Sequence, residues 1–294
     1  MNRPTNRHSA IVVIAAVIIV IAGCASTDRG PSGSAGVTPQ APASAEPATV
    51  APASAAPVPS TAAPGTAVPA GGAPGASPYP AQLFESVPYA PAIDPADFVA
   101  VIDNPYLPLT PGTMSIFDGD CGEHTEVTVT ARTRQIMGVT VVEVTDQVFV
   151  DGKLAEDTLD WFAQDSQGNV WYFGEKTAEY EHGKITSTEG TWEAGVDGAQ
   201  PGIVMPAQPQ VGDDYRQEWY PGQAEDLARV IDIDAAVTVP QGAYTGALVT
   251  EEWSPLDAKV IEQKWYARGV GLVEEREVKG GRAVSQLTEI RTVP

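Results

Sequence analysis

Cysteine is scarce, with two residues in a chain of 294, and there are three histidines and four methionines. Two thiols cannot build the disulfide framework of a small secreted scaffold, nor a four-thiolate zinc site. Three imidazoles leave few bases for acid–base or triad catalysis. Positive charge is scarce as well: 17 Lys and Arg stand against 38 Asp and Glu, a net of −21. That field repels nucleic acid and anionic lipid surfaces, while cations, basic partners, neutral sugars and lipids remain open. Long apolar runs are also lacking. The run Ala10 to Ala22 has 13 residues, short of the roughly 20 that a helix needs to span a bilayer, which speaks against a transmembrane anchor.

What is there begins with that run. Arg3 and Arg7 precede it and Ile21-Ala22-Gly23-Cys24 closes it, the charged, apolar and small-residue order of a secretory signal. The closing four residues resemble the bacterial lipoprotein signal, with Ile21 where Leu is commoner. The resemblance implies that residues 1–23 are removed and that Cys24, acylated with palmitate-type chains, becomes the N-terminus, so the protein is held on the extracytoplasmic side of the cell membrane. With Cys24 carrying lipid, Cys121 is the remaining thiol, no intramolecular disulfide is expected, and Cys121 reads as a buried hydrophobe or a free thiol. From Ala25 to about Pro80 the chain is Ala, Pro, Ser, Thr and Gly with Asp28, Arg29 and Glu46 as its charges. It cannot bury a core, so 24–80 reads as a lipidated cysteine followed by a disordered linker with a reach of up to about 150 Å. Residues 81–294 form the folded domain. Setting aside Asp28, Glu46, Arg3, Arg7 and Arg29 leaves it 36 acidic and 14 basic residues, a net of −22.

The domain opens on Asp94-Pro95, an N-cap and first helical position for a single turn, and Pro105 and Pro108 then force extended backbone, as an irregular wrapping segment. From Thr113 onward, period-two runs rich in Val, Thr, Trp and Tyr alternate with short turns such as Met137-Gly138, Asp151-Gly152 and His182-Gly183. This predicts strands over 114–117, 125–135, 139–150, 154–164, 169–180 and 184–191, then 215–220, 227–239, 244–253, 260–267, 272–279 and 283–291. Ala224 to Val230 is equally compatible with a short helix. The fold class is mainly β: an antiparallel meander forming a curved sheet, half-barrel or sandwich, with few short helices. In NVWYFGE, Val170 and Tyr172 share one face and Trp171 and Phe173 the other. An apolar pair on each side means that a second sheet, the entry segment or a ligand covers this strand.

Five ordered motifs, DNPYLPLTPGT (103–113), DWFAQDSQGNVWYFGE (160–175), TWEAGVDGAQPGIVMPAQP (191–209), DYRQEWYPGQAED (214–226) and WYARGVGLVEE (265–275), resemble a group of bacterial envelope proteins, often lipoproteins. The resemblance covers most of the domain. It implies a secreted, mainly β protein and carries over no catalytic residues. FDGDCGEH (117–124) lies outside it.

Hydrolase, metal and phosphate motifs are weak or missing. There is no G-x-S-x-G elbow, and His182 sits at a hairpin tip. Cys121-x-x-His124 supplies two ligands where zinc needs three or four, and Asp118-Gly-Asp120 and Asp165–Asn169 do not have the spacing of a twelve-residue calcium loop. Carboxylates gather at Glu156, Asp157, Asp160 and Asp165 around Trp161, yet Asp157 and Asp160 project to opposite faces of a strand and cannot flank one sugar bond. No metal, cofactor or catalytic residue is assigned. WEAGVDGAQPGIVMP (192–206) is rich in Gly and Pro and ends in Ile203, Val204 and Met205, too apolar for solvent. It reads as an ordered Ω-like lid over a sheet face. If a ligand exists, Trp171, Phe173, Trp192 and Met205 are the residues to hold it. The functional expectation is a membrane-anchored envelope lipoprotein with a non-catalytic β domain for binding or structural interaction with an envelope partner. The alternatives are a carrier of an apolar or amphiphilic ligand under the 192–209 loop, and a cell-wall-directed hydrolase.

Overall fold

Alternating Val, Thr and aromatic residues favour extended chain, and paired turn residues fold it back on itself. At Met137-Gly138 both residues have positive φ, 51° and 82°, the mirror-image turn whose twist matches a two-residue hairpin. The same device joins several neighbours in a sixteen-stranded antiparallel sheet, seen in a computed structural model that describes Tyr89–Pro294. The signal, lipobox and linker assignments over 1–80 lie outside the described residues, as do 81–88.

The strands of the first half are β1 (Phe98–Val99), β2 (Thr113–Gly119), β3 (Glu123–Ile136), β4 (Val139–Val150), β5 (Lys153–Asp165), β6 (Val170–Glu181), β7 (Lys184–Ser187), β8 (Trp192–Glu193) and β9 (Gln200–Met205). The second half holds β10 (Asp214–Arg216), β11 (Glu218–Trp219), β12 (Leu227–Val239), β13 (Gly242–Ser254), β14 (Asp257–Ala267), β15 (Gly271–Lys279) and β16 (Val284–Thr292). Two single 3-10 turns, Pro95–Asp97 and Asp120–Gly122, are the helical elements of the described residues. Asp94 caps the first, its Oδ1 accepting the Ala96 N–H at 2.9 Å.

Most strands pair with their sequence neighbours, and β16 returns to β2, so the two halves form one continuous sheet. Its ends are β10 and β11, which a single residue, Gln217, separates. β10 pairs with β12 while β11 pairs with β9, so the stretch 214–219 joins one edge to the other and nearly closes the sheet as a barrel. Of the curved sheet, half-barrel or sandwich expected, the sheet is therefore a single one curved almost to full closure. Gly202 makes the seam possible: a Cβ there would lie 2.2 Å from the backbone of Gln217.

Three expectations are corrected at this level. Residues 224–230 are not helical, because Leu227 onward enters β12. The strand expected over 184–191 ends at Ser187. The lid expected over 192–209 is in part ladder, its apolar tail included: β8 and β9 both pair with β6, with Trp171 opposite Ile203 and Val170 opposite Met205. Pro201 does not block the strand, since it needs no amide donor to sit opposite Glu218 at the seam.

Candidate functional site

After β7 the chain leaves the sheet at Thr188 and returns at β8, which opens a groove of about 470 Å³ beside β5 and β6, within the range of about 300–1,000 Å³ usual for ligand clefts. Trp161, nearly buried, is part of its lining. The Arg134 guanidinium lies 4.4 Å over that indole and its Nη2 reaches Glu193 Oε2 at 2.8 Å, tying β3 to β8. Lys176, Thr191, Trp192, Asp197 and Tyr220 also line the groove. Aromatic surface, hydroxyls and separated charges of both signs suit a polar ligand of low net charge better than a long hydrocarbon.

The barrel interior is of another kind. In β5 the buried positions Glu156, Thr158 and Asp160 alternate with the less buried Asp157 and Leu159. Their ladder partners Thr177 and Glu175 are buried too. Across the barrel β13 and β14 bury Thr250 and Glu252, and Glu262, Lys264 and Tyr266. The bonds are short: Tyr172 OH donates to Asp160 Oδ1 at 2.7 Å, Thr250 Oγ1 donates to Glu252 Oε1 at 2.6 Å, and Lys264 Nζ pairs with Glu252 Oε2 at 2.9 Å. Carboxylates withdrawn from water resist ionisation. Burial pushes Glu156, Asp160 and Asp226 up to about 7, with Glu179 adding to the shift at Glu156 and Glu156 to that at Asp160. Asp146, Glu175, Glu218 and Glu275 are pushed well above the usual carboxylate range, first by burial and then by neighbouring carboxyls. Burial lowers the Lys264 pKa, but Glu252 and Glu275 outweigh it and the net shift is upward.

Of the four residues expected to hold a ligand, Phe173, Trp192 and Met205 belong to the main core cluster and Trp171 packs against it. Trp171 and Phe173 lie under Phe98, with ring centroids at 6.3 and 5.6 Å, so the entry segment covers that face of β6. The Trp171 Nε1 donates to Asp165 Oδ2 at 2.8 Å. Met205 is wholly buried in the main core cluster. Trp192 lines the groove while its ring meets Tyr172 edge-on at 5.5 Å. Within the apolar tail, Val204 lines the barrel interior and Ile203 is half-buried.

The other candidates are also placed. Asp157 and Asp160 do face opposite sides: Asp157 accepts from Gln147 Nε2 at 2.9 Å on the outside, and Asp160 is within. The Asp165 carboxylate is used by its own loop, accepting from the Gln167 and Asn169 N–H groups at 2.9 Å and from Asn169 Nδ2 at 2.8 Å. His124 Nδ1 lies 2.7 Å from Asp118 Oδ1, and among the described residues no His, Cys, Asp and Glu set is arranged to hold a metal. Cys121 corrects its reading as a buried hydrophobe. It is exposed, at φ 60° in the 120–122 turn.

The interior carboxyls are what sequence reasoning missed. The signal was present as Glu156-x-Thr158-x-Asp160 and Glu262-x-Lys264, but a polar alternate face ordinarily marks the solvent side of a strand.

No family model and no curated protein matches the chain. Two solved structures are similar to it. One, a protein from Bacteroides fragilis described as exported and of YmcC-like fold, is 14% identical over 64% of this chain and 99% of its own, with a TM-score of 0.39. The other, from Parabacteroides distasonis and described as a lipoprotein, is 11% identical over 63% of this chain and 98% of its own, with a TM-score of 0.36.

Proposed function

We propose that this is a lipoprotein of the cell envelope, anchored through Cys24 on the extracytoplasmic side of the membrane, whose barrel binds an envelope component in the groove at Trp161 and Trp192 without catalysis. The contrast between the two cavities carries the reading. The outer groove is of ligand size, whereas the space enclosed by the sheet is about 90 Å³, too small for the acyl chain that a lipid carrier would hold. A carrier role is thereby narrowed to a small amphiphile. Thr188, exposed and on the groove wall, gives the test. Native mass spectrometry of the protein purified from host membranes is expected to show a co-purifying polar envelope component that Thr188→Trp removes while the thermal midpoint stays put. A component retained by that variant, or an extracted lipid in its place, contradicts the groove reading. For the anchor, an alkyne fatty acid is expected to label the wild type and not Cys24→Ala, and no label on the wild type would contradict the anchor.

A further inference from the structure

The small interior cavity has an amphiphilic wall. Val129, Val144 and Phe162 line it together with the carboxyls of Asp146, Asp160 and Glu252. Two of those acids are engaged, Asp160 by the Tyr172 hydroxyl and Glu252 by Thr250 and Lys264. Asp146 is different: its side chain is 8% exposed and its Oδ1 has no hydrogen-bond partner. A buried carboxyl oxygen without a donor is costly, and Asp146 lines a space whose other walls combine apolar side chains with the already engaged Asp160 and Glu252. At about 90 Å³ the cavity is on the order of three water volumes, the size of a very short aliphatic chain with a polar head. The 107–109 segment and the 270–272 turn also line it, held together below by the Gly269 N–H donating to the Pro105 carbonyl at 2.7 Å and by Arg268 stacked 4.5 Å over Tyr106.

We propose that this cavity is a binding site for a short primary alkylammonium, with its ammonium group on Asp146 and its hydrocarbon stem against Val129, Val144 and Phe162. A charge-assisted N–H···O bond supplies Asp146 with the donor it lacks, and an ammonium beside it favours the ionised carboxylate that burial otherwise opposes, which a neutral or anionic molecule of the same shape cannot do. A compact metal ion fits less well, because it would meet hydrocarbon on most sides where it requires six or more oxygens. The site is separate from the outer groove, so loss or retention of a groove ligand in Thr188→Trp has no bearing on it.

The test uses the full-length protein in detergent at pH 7.5 and constant ionic strength, with propylammonium chloride as probe and sodium chloride, 1-propanol and sodium propionate as comparisons. Propylammonium is expected to raise the thermal midpoint saturably, as a ligand of the native state does, and the other three are not. In Asp146→Asn the apparent Kd for propylammonium is expected to weaken at least tenfold. A response to sodium chloride of equal size means general charge screening and overturns the proposal. An equal response to 1-propanol means a merely apolar cavity, and also overturns it, as does wild-type affinity in a folded Asp146→Asn. If that variant does not fold, the four-way comparison on the wild type decides alone.

Discussion

Asp165 ends β5 and organises the turn that follows. Its two oxygens accept four hydrogen bonds, three from the loop itself and one from the Trp171 indole. Its carboxylate is consumed by local geometry, as Asp in tight turns commonly is, in keeping with the absence of calcium-loop spacing here. Arg134 is similar in kind: its guanidinium covers Trp161 and pairs with Glu193, so one side chain both roofs an aromatic and fixes the short strand β8. Met205 marks the opposite case, a residue whose value lies entirely in burial. At 0% exposure in the core cluster, Met205→Asp places an unpaired charge among apolar side chains and is expected to cost about 3 kcal/mol or more. Urea denaturation measures this, and a midpoint unchanged from wild type would contradict the burial.

Among the elements, the stretch 214–219 decides whether the sheet closes. It serves β12 with its first three residues and β9 with its last two, and Gly202 on β9 allows the backbones to approach. A methyl group there would overlap the Gln217 carbonyl, so Gly202→Ala is expected to destabilise by about 2 kcal/mol or more. Gly242→Ala serves as the comparison, since its nearest neighbour is Tyr244 OH at 3.8 Å, and it is expected to stay within about 0.5 kcal/mol. Equal denaturation midpoints for the two variants would remove Gly202 from the seam. Strand β6 shows how far such elements are legible. Its apolar faces, its coverage from outside and most of its length follow from NVWYFGE, with the entry segment proving to be the cover. The position of Glu175 does not follow. By alternation it belongs with Trp171 and Phe173, but the ladder shifts register between Asp160 and Phe162, where Gly174 adopts φ 124°. The irregularity moves Glu175 to the Asp160 side, as a bulge does when it adds a residue to one strand.

For the domain as a whole, the interior carboxyls set the response to pH. Glu123, Glu156, Asp160 and Asp226 rise to about 7 in the folded protein, from ordinary values near 4 in the unfolded chain. Between those limits the folded state binds protons that the unfolded state has released, so stability is fully present below about pH 4 and declines as pH rises through about 7. Each such group contributes a slope of about 1.4 kcal/mol per pH unit within that window. The thermal midpoint is therefore expected to be higher at pH 5 than at pH 8, the reverse of a protein held together by salt-bridged carboxylates. Scanning calorimetry at the two values checks this, and a midpoint that climbs toward pH 8 would show that these acids are ionised in the native state.

The amino-acid sequence by itself determined the antiparallel β class, most strand positions, the hairpin turns and the covered faces of β6, along with the lipobox expectation at its start. These depend on short-range chemistry: period two, β-branched side chains, and turn pairs that tolerate positive φ. Tertiary structure alone decided that 200–205 is a barrel strand rather than a lid, that Trp171, Phe173, Trp192 and Met205 pack in or against one core cluster, and that the acidic face of β5 turns inward. Each of these depends on pairings between residues distant in sequence, on a register shift that reverses alternation, and on the return of 214–219 across the seam. Alternation states which residues share a face, whereas closure of the sheet states which face is inside.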